Sequence, residues 1–199
     1  MSKYFDESQL AKMDEYRAQI YSLREKMYTE FGVDALDTDS LSNLAIYKIV
    51  KQYDEHFNVN FSRNGEDYKS KNVLIEGKAT RVNPDKFTKT GKPRTGYGND
   101  AGFQFHAMGD LEHPRYIFVA RSEVDLSVLR LYDISSKKNV SFVCNYLLSE
   151  RASWLHKTKE NSSMMKRDVI VLNEKTILEN CKFKSTSIID GCTVYRDIV

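Results

Sequence analysis

Cysteine is scarce in this chain, and long apolar runs are missing. The three cysteines, Cys144, Cys181 and Cys192, show no CxxC spacing and are odd in number, which argues against a disulfide framework and against a structural zinc site. A reducing, cytoplasmic setting is the expectation. The first residues, Met1-Ser2-Lys3-Tyr4-Phe5-Asp6-Glu7, contain no apolar stretch of the signal-peptide kind. No long uncharged run follows, so neither secretion nor membrane spanning is expected. Net charge is also lacking, since 30 Lys and Arg nearly balance 28 Asp and Glu to leave +2. The total therefore says little about partners. Gly91, Gly96 and Gly98 match neither a Walker loop nor a dinucleotide fingerprint. There is no internal repeat.

At 199 residues, 41% hydrophobic and 29% charged, the chain reads as one ordinary globular domain. Met13, Tyr16, Ile20, Leu23, Met27 and Phe31 recur at steps of three and four, predicting a helix over residues 6–31 that Gly32 stops. Its stripe serves either the domain's own core or a partner copy, as a dimerisation helix. Asp37-Thr38-Asp39-Ser40 offers N-cap residues for a second helix to about Phe57, with Leu44, Ile46, Ile49, Val50 and Tyr53 buried around it. Phe57, Val59 and Phe61 then alternate as a strand, and Asn64-Gly65 turns the chain. Phe103-Gln104-Phe105-His106 alternates again with both aromatics on one side. Tyr116 to Ala120 is apolar enough for a central strand, with Leu126 to Ile134 as its hairpin partner. A helix is predicted from Ser141 to about Lys157 and a strand over Val169 to Leu172. Beyond Glu174 the pattern gives a short helix and an irregular or strand-forming tail.

The stretch from Gly65 to Arg81 carries the chemistry. In a strand, Glu76 and Lys78 point to one face, while Val73, Ile75, Gly77 and Ala79 point to the other. A turn through Ser70, Lys71 and Asn72 brings Asp67 back alongside. Magnesium prefers oxygen ligands and keeps several waters, so Asp67 and Glu76 suffice when substrate phosphates complete the octahedron. Phosphodiester hydrolysis also needs an activated water and a cation near the developing charge, a role open to Lys78. The bland reading is a solvated strand bearing an ion pair.

The interval from Asn83 to Gly102 is rich in glycine and basic residues, and a loop this long is functional or simply solvated. Its Lys86, Lys89, Lys92, Arg94, Thr95 and Tyr97 suit contacts to a phosphate backbone, with the basic segment Lys157 to Arg167 second. Gln104 and His106 share a strand face near the motif, where they touch a scissile phosphate or line a sheet edge. His56, His113 and His156 are scattered without metal-ligand spacing, and Asp110, Glu112 and His113 sit in a turn before Pro114.

Asp67, eight intervening positions and then Glu76-Gly77-Lys78 resemble the signature of the PD-(D/E)XK nuclease superfamily. With the basic loop and the later hairpin, the chain looks like a type II restriction endonuclease. The resemblance implies an α/β fold with a mixed central β-sheet flanked by helices, after an N-terminal helical pair over 1–57. The catalytic sheet core would span 58–172 and a C-terminal tail 173–199. It implies Asp67, Glu76 and Lys78 as catalytic residues, Mg2+ held by Asp67, Glu76 and the carbonyl of Gly77, double-stranded DNA as substrate, and a two-fold homodimer. Glu66 replaces the family's usual proline, which leaves open whether Glu66 or Asp67 meets the metal. A structure-selective or phage-type nuclease, or a non-catalytic DNA-binding or interaction protein, are the alternatives.

Overall fold

The computed structural model describes residues 7–32, 38–60, 67–82, 101–122, 127–160 and 168–198. The chain divides into two compact units, Met1–Leu41 and Ser42–Val199. In the first, helix α1 spans Glu7–Phe31 and ends at Gly32, whose φ of 68° lets its N–H reach the Tyr28 carbonyl at 2.9 Å. The helix is where the periodicity predicts it. Its stripe is not buried, however: Met13, Tyr16, Ile20 and Leu23 are all about half exposed.

Helix α2 runs from Thr38 to Lys51, shorter than expected because Gln52 to Asp54 turn back on the carbonyls of Ile49 and Val50. The second unit is an α/β structure on a mixed sheet of seven strands, in the order β1 (Phe57–Val59), β2 (Tyr68–Ser70), β3 (Val73–Val82), β5 (Tyr116–Ser122), β6 (Val128–Ile134), β9 (Cys192–Arg196) and β8 (Ser185–Ile189). The pairs β3/β5 and β6/β9 are parallel and the rest antiparallel. Buried at every residue from Tyr116 to Arg121, β5 takes the middle position. Residues beyond 172 are no appendage, since β9 enters the sheet beside β6 and places Cys192 and Val194 in the core.

The alternation of side chains on these strands makes two cores. On one face Ile46, Ile49 and Val50 of α2 pack with Phe57, Tyr68, Ile75, Ile117, Val119 and Leu131. Leu44, expected among them, is exposed. On the other face Tyr116, Phe118, Tyr132 and Ile134 meet helix α3 (Lys137–Glu160) through Val143 and Leu147. The second core also takes Phe103 and Phe105 of β4 (Gly102–His106), Ile170 and Leu172 of β7 (Val169–Asn173), and Ile177 of helix α4 (Glu174–Asn180). Among the described residues, strands β4 and β7 pair only with each other, as a separate two-stranded layer.

Buried acids lock these layers together. Glu174 accepts from Arg130 Nη2 at 2.9 Å, from the Tyr132 hydroxyl and from the Ala101 amide at 3.1 Å, tying α4 to β6 and to the start of β4. Asp197 accepts from the amides and hydroxyls of Ser135 and Ser136 and from Asn139 Nδ2, so it neutralises the start of α3 from the far end of the chain.

Candidate active site

Strand β2 is only three residues long, and its pairing with β3 ends at Tyr68↔Ile75. Beyond that point the amides of β3 alternate between β5 and an edge that no strand covers among the described residues. The Glu76 N–H goes to the Arg115 carbonyl at 3.1 Å, so that of Gly77 faces that edge, where Asp67 Oδ2 accepts it at 2.9 Å. The Gly77 carbonyl shares this edge, because a strand residue presents both backbone groups to the same side. Asp67 thus sits one place before the start of β2 and is steered to Gly77 by a backbone amide.

Glu76 and Lys78 point to the face of α3 and β4, as the strand phase predicts. Lys78 Nζ contacts Glu76 Oε1 directly and lies 3.9 Å from Asp67 Oδ2, with the Phe105 ring beneath it at 5.4 Å. The three side chains are partly screened from solvent, Glu76 most, at 15% exposure, and Asp67 least, at 43%. Burial pushes the Asp67 carboxyl above the usual carboxylate range, helped by the charge of Glu76 and opposed by Lys78 and the Gly77 N–H.

Gly77 has a steric reason. A Cβ there would lie 2.2 Å from Cε2 of Tyr68 and 2.9 Å from its Cζ. That ring is buried, packs tilted against Phe57 with centroids 5.2 Å apart and donates its hydroxyl to Asn43 Oδ1 at 2.9 Å. The glycine is therefore a close approach, not a bulge, and the neighbour of Asp67 in sequence is what crosses it.

Two residues without a motif complete the site. His113 is buried, with Nε2 3.9 Å from Glu76 Oε2 and 3.3 Å from the Asp110 carbonyl. Its amide donates to the Tyr116 hydroxyl at 3.1 Å, and that hydroxyl donates to the Leu111 carbonyl at 2.6 Å, pinning the turn before β5. Arg151 of α3 holds the adjoining turn through the carbonyls of Ala107 (2.6 Å from Nε) and Gly109. Together Glu76, Lys78, Phe105, His106, Gly109, Asp110 and His113 line a cleft of about 300 Å³. His113 was unreadable as a partner of Glu76, because only the parallel pairing Glu76↔Tyr116 carries the residues before β5 to this spot.

His106 is at the rim, 79% exposed and 3.5 Å from Asp168, while Gln104 lies on the exposed face of β4 and does not line the cleft. Lys86, Lys89, Lys92, Arg94, Thr95, Tyr97 and Glu66 lie outside the described residues. No protein-family model and no curated protein matches this chain. Among the described residues no group of three or more His, Cys, Asp and Glu is gathered as a metal centre. The donors at this edge of β3 are instead two carboxylates and the Gly77 carbonyl, hard oxygens of the kind that suit magnesium completed by water and phosphate.

A second cleft, of about 600 Å³, lies at the other end of Arg115. Arg115 forks onto Asp133 at 2.8 and 2.6 Å and reaches Asp54 at 2.7 Å, and Asp54 accepts from Ser70 at 2.8 Å. Burial works against ionised Asp54, but the bonds from Arg115 and Ser70 outweigh it and hold that carboxyl below its usual range. This network is satisfied internally. It fixes the turn of the β2/β3 hairpin to β5 and β6, and so sets where Asp67 stands.

Proposed function

We propose that this protein is a magnesium-dependent endodeoxyribonuclease of the PD-(D/E)XK kind, most like a type II restriction enzyme, working in the cytoplasm as a homodimer on double-stranded DNA. The observation that carries the reading is the meeting of Asp67, Glu76 and Lys78 at the point where β3 loses its neighbour, with Lys78 Nζ 3.9 Å from Asp67 Oδ2 and in contact with Glu76. The mixed sheet, with a helix on either face and the motif on one hairpin, agrees with a restriction-endonuclease-like fold.

Asp67, Glu76 and the carbonyl of Gly77 would hold Mg2+, which supplies a water of lowered pKa and charge stabilisation on phosphate oxygens. Lys78, seated over Phe105, orients the attacking water and offers its ammonium to the charge that develops on the phosphoryl oxygens. The water oxygen bonds to phosphorus, the bond to the 3′ oxygen breaks, and that oxygen takes up a proton, leaving the phosphate on the 5′ side. The buried imidazole of His113 and the clamp of Arg151 keep the wall of the cleft in place.

Plasmid DNA incubated with the protein and Mg2+ tests the reading. Discrete, reproducible fragments are the expected product, whereas a smear or junction-only cleavage identifies a structure-selective nuclease. Glu76→Ala or Lys78→Ala should lower the cleavage rate by at least about 10²-fold while DNA binding survives. Unchanged activity in both variants returns the protein to a non-catalytic DNA-binding or interaction role.

A further inference from the structure

The sequence of α1 gathers its basic residues along one apolar stripe, and most side chains of that stripe are exposed. With Met13 taken as position a of a heptad, Met13, Tyr16, Ile20, Leu23 and Met27 fall at alternating a and d positions, an unbroken coiled-coil seam. Leu10 and Phe31 stand at e positions beside its ends, and over its 25 residues the helix is roughly 37 Å long. Met13, Tyr16, Ile20 and Leu23 are 48–59% exposed. The flanks are more telling. Lys12 and Lys26 occupy g positions and Arg17 and Arg24 occupy e positions, so every basic residue of the helix borders the seam. Glu7, Asp14, Glu15 and Glu25 fall at b, c and f, away from it, while Glu30 takes the d position at which the apolar seam stops.

Flanking charges choose the partner of such a helix. In a parallel pair of α1 helices Lys12 would face Arg17 of the second copy and Gln19 would face Arg24. In an antiparallel pair e faces e and g faces g, which again sets basic residues against basic, neutral or apolar ones. At the flanking e and g positions neither arrangement gives a cation an acidic neighbour. An anionic membrane surface is a poor occupant as well, because the five acids of the helix outnumber its four basic residues.

We propose that α1 docks an amphipathic helix of another protein whose own seam is aliphatic and whose flanking positions carry Asp or Glu. The proposal does not rest on the reading of the cleft at Glu76, and its test needs no cleavage.

The probes are two labelled synthetic helices of the length of α1, both with Leu at a and d, one with Glu and the other with Lys at every e and g. Each is titrated with the full chain and followed by fluorescence anisotropy. The Glu-flanked helix is expected to bind, and the Lys-flanked one on the order of tenfold more weakly, from four flanking pairs of a few tenths of a kcal/mol each. Reversing the four charges (K12E, R17E, R24E and K26E together) should invert that preference, and Leu23→Asp should abolish binding of both, with far-UV circular dichroism confirming that the helix persists. Equal binding of the two probes, binding of neither, or tighter binding to phosphatidylglycerol vesicles than to the Glu-flanked helix would overturn the proposal. So would sedimentation showing that the wild-type chain self-associates and that the fourfold variant does not.

Discussion

Gly77→Ala adds one methyl group and should be costly. The new Cβ would stand 2.2 Å from one ring carbon of Tyr68 and 3.0 Å from its hydroxyl oxygen. A flexible side chain would swing aside, but this ring is 4% exposed, packed on Phe57 and bonded to Asn43. Moving it breaks a buried hydrogen bond and opens the core under α2. Overpacking of this kind costs about 1–3 kcal/mol. Against it stands a gain of roughly 0.4–1 kcal/mol from reduced freedom of the unfolded chain. The overpacking term wins, leaving a net loss near 1–2 kcal/mol and a melting temperature lower by roughly 2–8 °C for a chain of this size. Urea unfolding followed by circular dichroism measures it, as a fall in midpoint at unchanged slope. In a Tyr68→Ala background the same methyl should cost almost nothing, so the double-mutant cycle should give a coupling of about 1 kcal/mol or more. A melting temperature that is unchanged or raised, or a zero coupling, refutes the argument that the ring dictates the glycine.

Two further outcomes follow from burial and charge. The folded pKa of Asp54 is depressed, so its contribution to stability is present above the ordinary carboxylate pKa of about 4 and is lost as pH falls below that through the folded value. The wild type should therefore lose melting temperature below about pH 4 more steeply than Asp54→Asn, and parallel curves would contradict this. Burial pushes the thiols of Cys181 and Cys192 up to about 12, with the charge of Asp197 adding to the effect at Cys181. Neither should react with an aromatic disulfide reagent at pH 8 until denaturant is added. Prompt reaction of either in the native protein would count against their burial.

What the sequence made legible was whatever depends on local period. The strand phase put Glu76 and Lys78 on one face and Phe103 and Phe105 on one side, and the steps of three and four marked α1 and its end at Gly32. Pairing between distant segments was not legible. Nothing local says that β4 pairs with β7 apart from the main sheet, or that the residues after 184 fill two of its seven places. The same gap hid His113, whose place beside Glu76 depends on a parallel register. An amphipathic stripe, for its part, states that a face is apolar but not what covers it, and α1 shows how far those two facts can separate. Gly77 was readable as a strand glycine, yet its cause, a tyrosine ring arriving from the preceding strand, is a tertiary fact.

The place of β9 sets a timetable for folding. Arg130 pairs with Thr193, and Asp133 with Arg196, so β6 must wait for partners roughly sixty positions later in the chain. At the usual pace of synthesis, about 5–20 residues per second, one edge of β6 stays without its strand for roughly 3–12 s. During that interval Leu131 and Tyr132, fully buried once folding is done, lie on an unpaired apolar strand. Nascent chains halted before residue 192 should aggregate through that edge, and their solubility should recover sharply once β9 emerges.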